Sequence, residues 1–360
     1  MSKDTGIEIA PGIFWVSRRE NSLLERNIYL RVFEGDGRRI NLLVDPGAPR
    51  DRKVLDENLS EIIGGMSRLN VAFANHQDPD VAFNLGFLQQ LNPELFVLTS
   101  EDTWRLLQFY GLKDDYYRST ESFPGGRARM KTGQELQFVP SPYCHFRGAV
   151  MLYDKESRVL FTGDLFGGLS FIPDLQADER HWEGVKTFHQ IYMPTRESIA
   201  LALDNIRKLD PPPKMLAPQH GSLITGEWIE FYMEKLGRLP VGLNLLLDSR
   251  TKENYLAAVN AVFLELNRSL GPEEFARAVK HLRNDGSFTN IIQFGPSGVV
   301  DIKTDLNTGL ELLTTELFDH LPGKKDMVRR VMTRVLLARE IPLPERLRHE
   351  ATAREGLFEM

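Results

Sequence analysis

In four separated places of this chain, a side chain that can bind a metal ion follows a strand-like run of apolar residues. These places are residues 75–80, 142–145, 161–164 and 217–221. Loops at strand ends let side chains converge on one point while the sheet itself stays rigid. The chain must therefore fold so that four loops, distant in sequence, meet at one edge of its sheets.

The candidate ligands are imidazoles and carboxylates. They are His76, His145, His220, Asp78, Asp80 and Asp164. Each alone is weak evidence, because a single histidine after a strand is usually structural and Asp-Pro-Asp is usually a turn. Together they form a mixed nitrogen and oxygen set that suits iron or manganese well and zinc acceptably. Alternate residues of an extended 76–80 loop would project ligands at regular steps, and Asp164 could bridge two cations.

The hydrophobic pattern predicts an α/β (α+β) fold. Strands are expected at 28–33, 40–44, 69–74, 95–98, 135–139, 149–153, 159–162 and 215–217, with the first two forming a hairpin. Helices are expected at 51–63, 81–91, 101–110 and 197–209. This order favours a sandwich of sheets with helices outside.

The pattern changes after residue 239. Residues 239–240 and 248–254 have the composition of a linker, and helices are expected at 255–270, 273–282, 310–321 and 327–340, with a turn and a short strand over 296–302. We therefore predict a first domain over residues 1–245 and a mostly helical second domain over residues 250–360.

Composition and charge indicate which binding partners and which cellular location to expect. The net charge of −6 argues against a nucleic-acid or anionic membrane surface, since either would need a basic face. Cys144 is the only cysteine, so no intrachain disulfide can form, and its neighbour His145 should point to the opposite side of an extended segment. The absence of a signal-like or membrane-spanning apolar run leads us to expect a cytoplasmic protein.

The order of these motifs resembles the metallo-β-lactamase superfamily. The segments that carry the resemblance are NHQDPD, LFTGDLFGG and LAPQHG. Within the superfamily the chain is most similar, over about residues 7–245, to the diiron domain of flavodiiron proteins. The resemblance implies a four-layer αβ/βα sandwich. The specific signal is Asp78, because hydrolases of this fold carry histidine there and the diiron branch carries glutamate.

The resemblance implies a role for each ligand. His76, Asp78 and His145 would hold one iron, Asp80 and His220 the other, and Asp164 with an oxo or hydroxo group would bridge them. Two departures matter: Asp78 is one methylene shorter than the family glutamate, and Val81 replaces a second histidine. The second change would leave an open position, so Val81 and Tyr143 are candidates for the wall of a dioxygen pocket.

Residues 246–360 lack the phosphate-loop signature of a flavodoxin, so no FMN is expected in this chain. The chain therefore resembles the flavin-less, oxygen-binding diiron proteins of bacterial chemotaxis and signalling. This implies a sensor of dioxygen or nitric oxide that acts as a homodimer, with residues 250–360 serving signalling or dimerisation. The alternatives are a dioxygen or nitric oxide reductase with an external electron donor, a binuclear hydrolase such as a phosphodiesterase, and a scaffold with a structural metal, so enzymatic activity is left open.

Overall fold

The predicted hairpin lies at the centre of the first sheet. In the computed structural model, β3 (Tyr29–Gly35) and β4 (Arg38–Val44) pair antiparallel. The connecting residues Asp36 and Gly37 both have positive φ, which matches the right-handed twist of the strands. The structure describes residues 6–20, 22–246, 249–296, 298–339 and 341–347. The chain divides between Pro240 and Val241 into two compact units.

The first sheet mixes antiparallel and parallel pairs. Its remaining strands are β1 (Ile7–Ala10), β2 (Ile13–Trp15), β5 (Val71–Phe73), β6 (Phe96–Thr99) and β7 (Tyr117–Ser119). The spatial order follows the chain from β1 to β7, and pairing becomes parallel from β4 onwards. The carboxyl ends of β4 and β5 therefore lie side by side.

The second sheet is mainly antiparallel. Its strands are β8 (Arg127–Arg129), β9 (Glu135–Pro140), β10 (Val150–Asp154), β11 (Val159–Gly163), β12 (Met215–Pro218) and β13 (Ile224–Thr225). They lie in reverse chain order, and β11 pairs parallel with β12. The carboxyl ends of β11 and β12 therefore share one edge, and the beginning of β10 lies at the same edge because β10 runs antiparallel to β11.

Helices cover the outer faces of both sheets. Those of the first unit are α1 (Arg52–Ile63), α2 (Pro79–Ala82), α3 (Asn84–Leu91), α4 (Glu101–Leu107), α5 (Trp182–Tyr192), α6 (Arg196–Arg207) and α7 (Trp228–Arg238). On β3, Tyr29 and Phe33 belong to the apolar cluster between the sheets, whereas Leu30 packs with Leu55 and Leu59 of α1. Because both faces of β3 are buried, layers form on each side of it, as predicted.

The second unit is mostly helical, which confirms the expectation. Its elements are α8 (Leu243–Leu246), α9 (Ser249–Leu270), α10 (Pro272–Asn284), α11 (Gly286–Ile291), β14 (Ile292–Gly295), β15 (Gly298–Ile302), α12 (Leu306–His320) and α13 (Lys325–Leu337). Helix α9 packs against α10, α13 and β15. No helix in the described residues is both long enough and apolar enough to cross a membrane.

One prediction for this region was wrong in part. The polar stretch expected to be a linker is helical from Ser249, while Asp248 lies outside the described residues. Its polar side chains have partners on other elements, since Lys252 pairs with Asp301 and the Asn254 amide donates to the Arg339 carbonyl. The short strand expected over 296–302 is confirmed as β15, and it pairs with β14, a strand that was not predicted.

A buried ion pair connects the two sheets. The guanidinium of Arg31 on β3 lies 2.7 Å from the carboxylate of Asp154 on β10, and both side chains are buried. Since removing Asp154 leaves the buried guanidinium with only the exposed Glu156, 3.4 Å away, as an ion-pair partner, we expect Asp154→Ala to lower the free energy of unfolding by about 3 kcal/mol. Urea denaturation measures the change.

The exposed pair between Arg18 and Glu57 is the matched control. Glu57→Ala should cost less than about 1 kcal/mol, because solvent screens that pair. Equal effects of the two substitutions would contradict the structural importance of the pair between the sheets.

Candidate metal centre

The edges of the two sheets bring all of the predicted ligands together. His76 follows β5, Asp164 follows β11 and His220 follows β12. His145 lies in the connection between β9 and β10, which returns to the same edge. The sequence folds this way because each ligand follows a buried strand, and parallel pairing aligns the strand ends.

One half of the site contains two imidazoles and two carboxylates. His145 Nε2 lies 3.1 Å from Asp78 Oδ2 and 3.2 Å from Asp164 Oδ2. His76 Nε2 lies 3.7 Å from Asp78 Oδ2 and 3.5 Å from Asp164 Oδ2. In the described residues, the ligand atoms of His76, Asp78 and His145 all lie within 4.8 Å of one another, close enough for one metal ion.

The other half contains one imidazole and faces the second oxygen of Asp164. His220 Nε2 lies 3.3 Å from Asp80 Oδ2 and 3.7 Å from Asp164 Oδ1. Asp164 Oδ1 is buried and accepts no hydrogen bond from any described residue. A buried carboxylate oxygen without a donor is costly unless a cation satisfies it. The two oxygens of Asp164 are thus divided between the two halves.

Neighbouring groups turn two of the imidazoles toward the centre. Nδ1 of His76 lies 3.1 Å from the side-chain oxygen of Asn75, and Nδ1 of His220 lies 2.8 Å from the Glu25 carbonyl. Since both partners are acceptors, each Nδ1 carries a proton, and Nε2 is the nitrogen that faces inward and can bind a metal ion once it is deprotonated. Such partners fix the tautomer of metal-binding histidines. The donor set therefore fits metal ions.

The loop that carries Asp78 and Asp80 differs from the predicted extended arrangement. Helix α2 begins at Pro79, with Asp78 in an extended conformation before it and Asp80 in its first turn. Proline favours the first helical position, where its missing N–H is not needed. The two carboxylates consequently approach different halves of the site.

Charges in this site shift its pKa values strongly. Burial alone would lower the pKa of His76, but Asp164 and Asp78 raise it to about 9. Burial likewise opposes ionisation of Asp80, yet His220 lowers the pKa of this carboxyl to about 2. The pKa of Asp78 falls well below its ordinary value for the same reason, through His145 and His76. Without metal, charge attraction of His76 to Asp78 and Asp164, and of His220 to Asp80, holds the site together.

Two supporting residues were not predicted. Asp45, which follows β4, accepts the Asn75 N–H at 2.8 Å, and burial raises its pKa to about 7. The Gln77 amide donates to Asp78 Oδ1 at 2.7 Å, which leaves Oδ2 facing the imidazoles. The position of Asp45 at the end of a strand was the available signal, but Asp-Pro-Gly also specifies a turn.

Aromatic rings and a neutral histidine surround the centre. Tyr192 lies 6.0 Å from the ring of His145, and Phe188 lies 5.2 Å from that of His220. His189 on the same helix, α5, accepts the N–H of Phe166 in the loop after Asp164. Burial lowers the pKa of His189 to about 4, so it supports this loop as a neutral acceptor.

The two pocket candidates have different surroundings. Tyr143 is 51% exposed, whereas Val81 is completely buried in the apolar cluster beneath α1 and α3. Cys144 is buried with its thiol 3.6 Å from the Ser198 carbonyl, and burial raises its pKa to about 12. A thiol with so high a pKa is a poor nucleophile.

Comparison with known proteins identifies relatives of the first unit. Residues 24–221 match the family model described as "ODP family beta lactamase". The chain is 27% identical over 233 residues to the type A flavoprotein fprA of Rhodobacter capsulatus, covering 61% of this chain and 52% of that protein. It is 24% identical over 228 residues to a nitric oxide reductase of Moorella thermoacetica, covering 60% and 56%. The chain thus spans about half the length of these two relatives.

Solved structures share the fold. A structure described as "Peroxy diiron species of chemotaxis sensor ODP" has a TM-score of 0.55 at 22% identity, covering 66% of this chain and 94% of that one. The apo state of chemotaxis sensor ODP from T. denticola has a TM-score of 0.54 at 22% identity, covering 66% and 99%. The predicted metallo-β-lactamase-like sandwich and the resemblance to flavodiiron proteins are both confirmed.

The raised pKa values predict how the metal-free protein responds to pH. A pKa raised from 6.5 to about 9 means that His76 contributes its full stabilisation below about pH 6.5 and loses it as the pH rises through 9. The pKa of Asp45 is raised from 3.8 to about 7, so this carboxyl also makes the folded protein less stable as the pH rises, over a lower pH range. We expect the chelator-treated protein to be less resistant to urea at pH 9.5 than at pH 6.5, as circular dichroism would measure.

His76→Gln should weaken this dependence above pH 6.5, because it removes one titrating imidazole and leaves His220, whose pKa Asp80 and Asp164 also raise against the effect of burial. His181→Gln, which removes an imidazole that pairs with Asp178 away from the centre, is the control and should keep it. A stability that rises between pH 6.5 and 9.5 would refute the assigned shift.

Proposed function

Since this chain belongs to the ODP family of β-lactamase-like proteins, we propose that it holds two iron ions and senses dioxygen. The observation that carries the proposal is the division of the Asp164 oxygens between two sets of imidazoles and carboxylates. Iron bound in this donor set supplies the electrons with which dioxygen is bound. The relatives named as a diiron chemotaxis sensor and as flavoproteins support this assignment.

The ligand roles follow from the two halves of the site. His76, Asp78 and His145 would hold one iron, Asp80 and His220 would hold the other, and Asp164, together with the expected oxo or hydroxo group, would be shared by both. The protein's part is to orient Nε2 of each imidazole and to keep the carboxylates ionised. Both tasks are supported by the outward hydrogen bonds of His76 and His220 and by the lowered pKa of Asp80.

A sensor is favoured over a reductase or a hydrolase. The described part of the second unit consists of helices and a hairpin, rather than the alternating strands and helices of a flavodoxin. Electrons for repeated turnover would then come from outside the described residues. A carboxylate at position 78, 3.1 Å from His145, weighs against the zinc hydrolases, which carry histidine there. Nitric oxide is the second candidate ligand, because one relative is named a nitric oxide reductase.

The remaining expectations concern partners and the second unit. A homodimer, a signalling partner, a cytoplasmic location and a transmitting role for residues 250–360 stay predictions. Tyr143 and Val81 stay candidates for the pocket wall; the exposed Tyr143 is accessible from solvent, while Val81 would act by excluding water.

Metal analysis and spectroscopy under controlled oxygen test the proposed function. Protein purified without oxygen should contain two irons per chain, and admission of dioxygen should produce a stable visible charge-transfer band. His145→Ala and Asp164→Ala should each lose at least one iron, while His181→Ala keeps both. Zinc with phosphodiesterase activity would overturn the proposal, and rapid oxygen consumption with an added reductant would indicate a reductase.

Gln77 is predicted to position the short Asp78 side chain for the first metal ion. Gln77→Met keeps the length but removes the donor to Asp78 Oδ1, so we expect this ion to bind about 10-fold more weakly. Competition with a chelator measures the affinity. Gln108→Met is the control, because the Gln108 amide bonds only to the nearby Arg105 carbonyl at the surface. Unchanged affinity in Gln77→Met would show that the hydrogen bond is incidental.

A further inference from the structure

Two helices of the second unit carry matching acid–imidazole pairs. On α10 and its C-terminal cap these are His281 and Asp285, and on α12 they are Glu316 and His320. Residues four apart lie on one face of a helix, about one turn from each other. Helices α10 and α12 pack against each other. The two pairs are therefore presented from adjacent helices.

The contacts show that the two imidazoles face each other. The rings of His281 and His320 stack with centroids 5.0 Å apart and planes within 5°. His320 Nε2 lies 3.3 Å from Glu316 Oε2. Partial burial raises the pKa of Glu316, His320 opposes this, and the negative charges of Asp285 and Asp319 raise it further. Carboxylates from both helices thus lie close enough to repel each other, beside two imidazoles.

We propose that α10 and α12 form a binding site for a divalent transition-metal ion of the zinc class, with His281, His320 and Glu316 as ligands. Two imidazoles with one carboxylate form a borderline donor set that zinc accepts, with a fourth position left for water. Asp285 contributes negative charge nearby, while its own carboxylate accepts the Phe288 N–H at 3.1 Å. The ion would offset the repulsion between the carboxylates. This site is separate from the iron centre and does not depend on it.

To bring the ligand atoms within reach of one metal ion, the side chains must turn while the helices stay in place. These ligand atoms are spaced more widely than those of His76, Asp78 and His145. His281 is exposed and the side chain of His320 is 36% exposed, so both rings can turn about their χ angles. The helices themselves are anchored by buried residues, Leu282 on α10 and Leu313 and Leu317 on α12.

Bound metal would connect α10 to α12 and stiffen the second unit. Because metal binds only the folded arrangement, zinc should raise the melting temperature of the protein through mass action. Binding should also weaken at acidic pH, since zinc competes with protons for the imidazoles.

Zinc counting by equilibrium dialysis tests the proposal in the full chain. Wild-type protein, first loaded with iron, should bind one zinc ion more than the double variant His281→Ala/His320→Ala. Both substitutions lie at accessible side chains, and melting without zinc checks that the variant folds. His181→Ala is the matched control and should retain the extra zinc.

The iron content keeps this proposal distinct from the proposed function. The double variant should retain its iron and its response to dioxygen while losing the zinc-dependent rise in melting temperature. Equal zinc counts in wild type and double variant would overturn the new site, as would loss of the extra zinc from His181→Ala. In that case the pairs are surface ion pairs and a ring contact only.

Discussion

The whole centre depends on the buried carboxylate of Asp164, whose two oxygens face different sets of ligands. Its position is fixed by the chain around it. Gly163 has a positive φ, and any side chain there would collide with the Asn75 amide, which itself orients His76. On the other side, His189 holds the Phe166 N–H. The end of β11 thus fixes the position of the Asp164 carboxylate. Through Asn75 it also fixes His76, which follows a strand of the other sheet.

Burying so many charged groups costs free energy of folding. Hydrogen bonds between the two sheets keep these groups in place despite that cost. The Asn27 amide donates to the carbonyls of Pro218 and Gly221, both at 2.9 Å, and the Tyr29 hydroxyl donates to Pro218 at 2.6 Å. These bonds hold the His220 loop of the second sheet against strands of the first. The ligands therefore cannot separate to regain solvent without breaking bonds between the sheets.

The convergence of the six candidate ligands and most of the strands could be predicted from the sequence because both follow from local pattern: apolar runs mark buried strands, and each candidate ligand follows one. The sequence predicted the surroundings less well. Asp45 was hidden because Asp-Pro-Gly also specifies a turn, and Pro79 started a helix where alternation suggested an extended loop. The helical start of α9 at Ser249 was missed because its polar residues find tertiary partners such as Asp301, which local composition does not reveal.

The two halves of the centre differ in their number of imidazole ligands, and this difference affects which chemistry the centre can support. The half with His76 and His145 has two nitrogen donors, whereas the half with Asp80 has only His220. The family's second histidine would stand at position 81, but Val81 is buried in the apolar cluster and cannot replace it. An ion held in the poorer half would have room for an external ligand. Repeated reduction of that ligand would also need rapidly delivered electrons, and the described part of the second unit consists of helices and a hairpin rather than a flavodoxin pattern. The difference between the two halves is therefore the reason to propose detection rather than turnover.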